Sequence, residues 1–138
     1  IPIWFHLSIN YSTNSMEVER PIYLDIVARD FPELKMIAGH GGWPWINEMV
    51  AVAWRNPNIY IDIASYIPKY LGIQGSGWDS LLHFGNSVLQ DKILFGSTWL
   101  FMGLSIKELA DGVMDLPLKE EVKEKWLYHN AARLFSIE

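Results

Sequence analysis

The sequence predicts an α/β fold built on a parallel sheet, and two features carry that expectation. Four short runs rich in β-branched and aromatic residues, Pro2 to Ile9, Leu34 to His40, Asn58 to Ser65 and Lys92 to Thr98, are almost continuously apolar, as parallel strands covered on both faces are. Stretches with helical spacing separate them, and a β-α alternation of this kind implies parallel strands joined by right-handed crossovers. The 138 residues divide into four units of about 34 residues, against about 31 in a (β/α)8 barrel. That periodicity fits half a barrel and a small doubly wound sheet equally well.

Ser8 and Asn10, His40 and Gly41, Ser65, and Ser97 lie at the ends of the four strand runs, residue types that favour turns and strand ends. After the first, Pro21 opens a helix with Ile22, Ile26 and Val27 as apolar positions, closing near Phe31-Pro32. Ile46, Met49, Val50 and Ala53 follow the i, i+3, i+4, i+7 rule, and Asn56-Pro57 ends that second helix. Trp78, Leu81, Leu82 and Leu89 outline a third. Ser105 and Glu108 have capping-box spacing for a fourth, and Glu121 with Lys125 forms an i, i+4 pair in a closing helix that runs towards Phe135. No linker, repeat or low-complexity tract interrupts residues 1–138, so they are expected to form one unit.

Composition removes several functions. Half the residues are hydrophobic, and 7 Trp, 6 Tyr and 6 Phe exclude a disordered tail. The absence of cysteine rules out disulfides, Cys-ligated metal sites and a cysteine nucleophile, and favours a reducing cytoplasmic setting. A net charge of −5 without a basic cluster makes nucleic acid and anionic membranes poor partners. No apolar stretch approaches the ~20 residues that span a bilayer.

Alternation along a strand sorts residues by face. By that count Trp4, His6 and Ser8 share one face, as do Met36, Ala38 and His40, then Tyr60, Asp62 and Ala64, and finally Leu94, Gly96 and Thr98. Each set puts polar groups at or near the C-terminal end of its strand, the edge where parallel α/β folds bind ligands. His6 and His40 stand out, because an imidazole transfers protons or ligates metals and costs a few kcal/mol if buried unpaired. A buried histidine satisfied by a carbonyl is the plainer alternative for either one alone; two at equivalent strand ends favour a functional role. Asp62 is equally suited to orienting a histidine, binding a metal or capping backbone N–H groups. Gly41-Gly42 is either a ligand approach or an ordinary turn, and the lipase-type use of His-Gly-Gly lacks its Gly-x-Ser-x-Gly elbow here. Gly75-Ser76-Gly77 is a loop without a phosphate-binding pattern. His83 and His129 fall within helices as structural or solvent-facing residues, while Trp43, Trp45, Tyr66, Trp99 and Phe101 follow strand ends and suit an apolar pocket or simple packing.

Taken together, PIYLDIVARDFPELKMIAGHGGWPWINEMV, NPNIYIDIAS, DKILFGST and KWLYHNAARLF resemble the C-terminal half of the amidohydrolase-related family, in the branch with aminocarboxymuconate-semialdehyde decarboxylase and resorcylate decarboxylase. The resemblance implies strands five to eight of a TIM-like (β/α)8 barrel. It implies His6 as a metal ligand, and His40 as the histidine that activates water or moves the proton, with Asp62 beside it. Zinc or manganese would act as a Lewis acid. Thr98 occupies the position of the family's metal-binding aspartate, and a neutral hydroxyl there implies weaker metal binding.

The expected function is part of a metal-dependent enzyme that hydrolyses or non-oxidatively decarboxylates a small aromatic or unsaturated carboxylic acid. The isolated chain would be inactive, completed by an N-terminal half-barrel or by a second copy. No Arg or Lys is clearly placed to hold a substrate carboxylate, and Arg55 and Lys69 are nearby candidates only. The alternative is a non-catalytic relative or half-barrel module for assembly or ligand binding, its metal site lost at Thr98.

Overall fold

The computed structural model describes residues 1–12 and 15–137. Strands β1 (Ile3–Phe5), β2 (Met36–Ala38), β3 (Ile59–Asp62) and β4 (Ile93–Leu94) form one sheet in the order β1-β2-β3-β4, and every neighbouring pair is parallel. Helix α1 (Ile22–Asp30) joins β1 to β2, and α2 (Ile46–Arg55) joins β2 to β3. Between β3 and β4 lie α3 (Pro68–Leu71) and α4 (Asp79–Gly85). Four more follow β4: α5 (Trp99–Met102), α6 (Ile106–Met114), α7 (Glu120–Glu124) and α8 (Asn130–Phe135), the last two continuous through a π-helical turn at Lys125–His129.

The ladder assigns the faces. Trp4 pairs with Ile37, Ile37 with Tyr60, and Asp62 with Leu94, so these side chains share one face. The opposite face carries Met36, Ala38, Ile59, Ile61 and Ile93, all fully buried against Leu24 and Ala28 of α1, the apolar stripe of α2, Leu81 of α4 and Trp126. On the first face Ile37, Leu94 and Leu134 form a smaller cluster with Tyr60 and Ala131. The β1 edge of the sheet stays open, with Ile3 45% and Trp4 47% exposed on its two faces.

The strands are shorter at their C-terminal ends than the apolar runs suggest, because the chain leaves the ladder there for turns: His40, Ser65 and Thr98 all have left-handed φ values. Three local expectations change. Ile22 and Ile26 of α1 face solvent, and Leu24 and Ala28 are the buried positions. Lys125 pairs with Asp91 at 3.0 Å, across the packed C-terminal elements, rather than with Glu121. Leu89 lies beyond α4 in the following turn, although it is buried as expected. The Ser105–Glu108 capping box has both its arms.

Buried polar side chains tie loops to strands. Asn58 Nδ2 donates to the carbonyls of Ala28, Phe31 and Leu34, closing the loop before β2. Asn130, fully buried, donates to Gln90 O and Ile93 O at 2.9 and 2.7 Å and pins α8 to β4. Lys92 Nζ donates to Ala53 O and Asn56 O at the end of α2, and burial lowers its pKa to about 8. Between pH 8 and roughly 10.4 the unfolded chain then holds more protons than the folded one, so this group's contribution to stability rises with pH across that window. In urea unfolding, the stability of the wild type relative to Lys92→Met is expected to be greater near pH 10 than near pH 8. A relative stability that falls over that interval would contradict the lowered pKa.

Candidate active site

Just past β1, His6 Nδ1 lies 2.9 Å from Glu19 Oε2. Glu19 ends the short 3-10 helix Met16–Glu19, an element with no periodic signal in the sequence. A carboxylate only accepts, so in the neutral ring Nδ1 carries the hydrogen and Nε2 keeps its lone pair. His40 Nδ1 lies 3.1 Å from the carbonyl oxygen of Ala64, and the same reasoning puts its hydrogen on Nδ1 and its lone pair on Nε2. The two imidazole centroids are 4.9 Å apart, edge to face, and the Trp4 ring packs against both at 6.0 and 5.3 Å.

His40 reaches that position by a route that alternation does not predict. Its parity partners Met36 and Ala38 lie on the helix-covered face, opposite Trp4. A left-handed backbone at His40 (φ 61°, ψ 28°), continued by Gly41 at φ 67°, turns the imidazole towards His6. A non-glycine residue in this region costs on the order of 1–3 kcal/mol, and such strain clusters at functional sites. Glycine on either side is a steric requirement: a Cβ on Gly39 would lie 2.3 Å from Trp4 Cζ2, and one on Gly41 2.3 Å from Trp78 Cζ3.

Asp62 secures the turn. Its Oδ1 accepts from the backbone N–H groups of His40 (2.8 Å) and Ala64 (2.9 Å), and its Oδ2 accepts from the Trp4 indole. It is 7% exposed and does not line the cleft. Thr98 does not line it either; its Oγ1 accepts from Ser65 N at 3.0 Å and lies 3.3 Å from Ser65 Oγ.

The cleft itself has a volume of about 770 Å³, and its walls include His6, His40, Glu19, Ser65, Trp43 and Tyr66, a size that suits a small ligand. Ser8 Oγ donates to Trp43 O at 2.9 Å, so the 3.1 Å contact between Ser8 and Tyr66 uses the phenol as donor. Burial raises the Tyr66 pKa, against a smaller opposing effect of the Ser8 hydrogen bond, and keeps the hydroxyl neutral. Trp43 and Tyr66 therefore supply an aromatic wall, whereas Trp99 and Phe101 are exposed away from it. His83 and His129 are exposed on helices. Arg55 pairs with Asp25 at 3.1 Å and Lys69 lies over the Tyr70 ring, and neither lines the cleft.

A divalent cation fits His6 as one ligand, since an Nδ1–H held by a carboxylate is how metal-binding imidazoles are oriented. Among the described residues no group of three or more His, Cys, Asp or Glu could hold a metal ion, so His6 would be only one member of any ligand set. Among them no helix is long and apolar enough to cross a membrane.

Residues 1–137 match the amidohydrolase family model, and no curated protein matches the chain. A TIM-barrel protein from Bordetella bronchiseptica is 32% identical with a TM-score of 0.81, over 99% of this chain and 46% of that one. A 2,6-dihydroxybenzoate decarboxylase complexed with 2,6-dihydroxybenzoate is 17% identical with a TM-score of 0.67, over 99% of this chain and 51% of that one. A dihydroxybenzoic acid decarboxylase from Polaromonas sp. JS666, with bound manganese and the inhibitor 2-nitroresorcinol, is 19% identical with a TM-score of 0.60, over 88% of this chain and 40% of that one. The chain thus spans about half the length of these proteins, and its parallel sheet is that of a partial TIM barrel rather than of a doubly wound fold. With the family model matched across almost every residue, the chain belongs to the amidohydrolase family.

Proposed function

We propose that residues 1–138 form a single partial domain, the half of a (β/α)8 barrel that brings His6 and His40 to the reaction centre of a metal-dependent enzyme, and that the enzyme non-oxidatively decarboxylates a small aromatic carboxylic acid. The carrying observation is the pair of imidazoles 4.9 Å apart on one cleft, each with Nδ1 committed to an acceptor and Nε2 left for chemistry. The aromatic wall of Trp43 and Tyr66 suits a planar ring, and similar folds occur in decarboxylases of dihydroxybenzoates. The open β1 end of the sheet supports completion by the remaining strands of a barrel, from the same polypeptide or a second copy.

When bound, a divalent cation would supply Lewis acidity to substrate oxygens, with His6 among its ligands. Protonated His40 would give its Nε2 proton to the ring carbon that bears the carboxylate. The carbon–carboxylate bond then breaks, its electron pair returns to the ring, and carbon dioxide leaves. Asp62 holds the backbone of His40, and Trp4 packs beside both imidazoles. Hydrolysis, with His40 taking a proton from water, is the other reaction such a centre supports.

The test is carbon dioxide release from a series of hydroxybenzoates by the full-length protein, with metal content measured in parallel. His6→Ala is expected to lower both. His40→Ala should cost about 10²–10⁴ in turnover while metal content stays near that of the wild type. Unchanged turnover in both variants would contradict the proposal. Thr98, bonded to Ser65 at the position of the family's acid, favours a second reading, a non-catalytic ligand-binding relative. Thr98→Asp discriminates between the two. Aspartate tolerates a left-handed backbone better than a β-branched residue, so the variant should fold and bind the cation more tightly if the site is live; failure of both forms to bind supports the second reading.

A further inference from the structure

Glu19 has one partner among the ion pairs of the described residues, His6, while the cation next to it in sequence, Arg20, is taken by Glu17 and Glu48. Its side chain is only 17% exposed. The segment that carries it is pinned at both ends. Ser15 Oγ accepts from Glu17 N at the start of the 3-10 helix, and Glu48 of α2 receives both the Arg20 guanidinium and the N–H of Ile22. Glu19 is thereby held over the cleft that His6 lines by contacts that do not involve the histidine.

We infer that Glu19 is the positioning residue for His6: its carboxylate, 2.9 Å from Nδ1, fixes the ring in the Nδ1–H tautomer and turns Nε2 into the ligating nitrogen. The tautomer assignment stands on this geometry alone, and the ligating role rests on the proposed function. Without the carboxylate the neutral ring redistributes its hydrogen between the two nitrogens, and the lone pair that a cation needs is at Nε2 for only part of the time. Carboxylates that hold the other ring nitrogen of a metal-binding histidine in this way are worth roughly 10–100-fold in metal affinity.

The experiment uses the full-length protein as wild type, Glu19→Ala, His6→Ala and, as a control on the same helix, Glu17→Gln. Imidazole 15N NMR on the metal-free protein separates protonated from lone-pair ring nitrogens, and a competition assay gives zinc affinity. The expected result is an Nδ1–H ring at His6 in the wild type and in Glu17→Gln, a mixture of tautomers in Glu19→Ala, which has no acceptor left for Nδ1–H, and zinc binding about 10–100-fold weaker in Glu19→Ala. An Nε2–H ring in the wild type, or the same tautomer in Glu19→Ala as in the wild type, overturns the inference. Zinc affinity unchanged in Glu19→Ala but lost in His6→Ala overturns the positioning role and leaves His6 as a ligand. Zinc affinity unchanged in His6→Ala overturns the metal reading of His6 in the proposed function, and the NMR result still decides whether Glu19 sets the tautomer.

Discussion

Gly41→Ala is expected to be among the most damaging single substitutions in this chain, lowering stability by about 3 kcal/mol or more. Two costs combine. The new residue must adopt φ +67°, which disfavours any side chain by on the order of 1–2 kcal/mol. Its Cβ would also sit 2.3 Å from Trp78 Cζ3, and Trp78 is 4% exposed, part of the main core and packed on Tyr66, so it cannot yield without repacking, typically another 1–3 kcal/mol. Gly75 is the internal comparison. Its φ of +78° is as demanding, but nothing lies within 4 Å of the added carbon, so Gly75→Ala should cost only the backbone part, about 1–2 kcal/mol. Urea unfolding of both variants separates the two costs, and equal losses would show that the contact with Trp78 does not constrain the turn.

Asp62 offers the second large effect. Asp62→Ala leaves three N–H groups, those of His40, Ala64 and the Trp4 indole, without their acceptor. An abandoned buried donor costs about 1–3 kcal/mol, which predicts a loss of at least 3 kcal/mol together with release of the His40 turn. Asp62→Asn keeps the shape and one acceptor oxygen. With that oxygen serving His40 and Ala64, its amide nitrogen would face the indole N–H donor to donor, so a smaller loss of about 1–3 kcal/mol is expected. Thermal or denaturant unfolding ranks the three forms, and turnover measured alongside should fall in the same order. Equal losses in the asparagine and alanine variants would mean that the carboxylate acts by its charge, not by holding the backbone.

Much of the fold was legible because parallel strands buried on both faces write themselves as unbroken apolar runs, and Ile59 and Ile61 or Ile93 and Leu94 are such residues. His6 and His40 were legible for the converse reason, as polar groups inserted in apolar surroundings at strand ends. The manner of their meeting was not. Strand parity puts His40 with Met36 and Ala38, and only a left-handed backbone, which His-Gly-Gly permits but does not dictate, sends it to the other side. Asp62 displayed the capping alternative openly, yet its three donors come from Trp4, His40 and Ala64, two of them distant in sequence, so no local pattern ranks that use above catalysis. Glu19 was invisible for a related reason. It lies in a short 3-10 helix inside a loop, and charged loop residues default to solvent unless a long-range partner recruits them.

If His6 holds a divalent cation in a reaction centre shared with His40, as proposed, anomalous difference density from zinc-grown crystals of the full-length protein will show it. The expected peak lies about 2.1 Å from His6 Nε2, with Glu19 on Nδ1 and His40 lining the same cleft. A zinc peak ligated by other residues, with the His6 ring turned away from it, or a fully formed barrel with no zinc at His6 at all, would contradict that proposal.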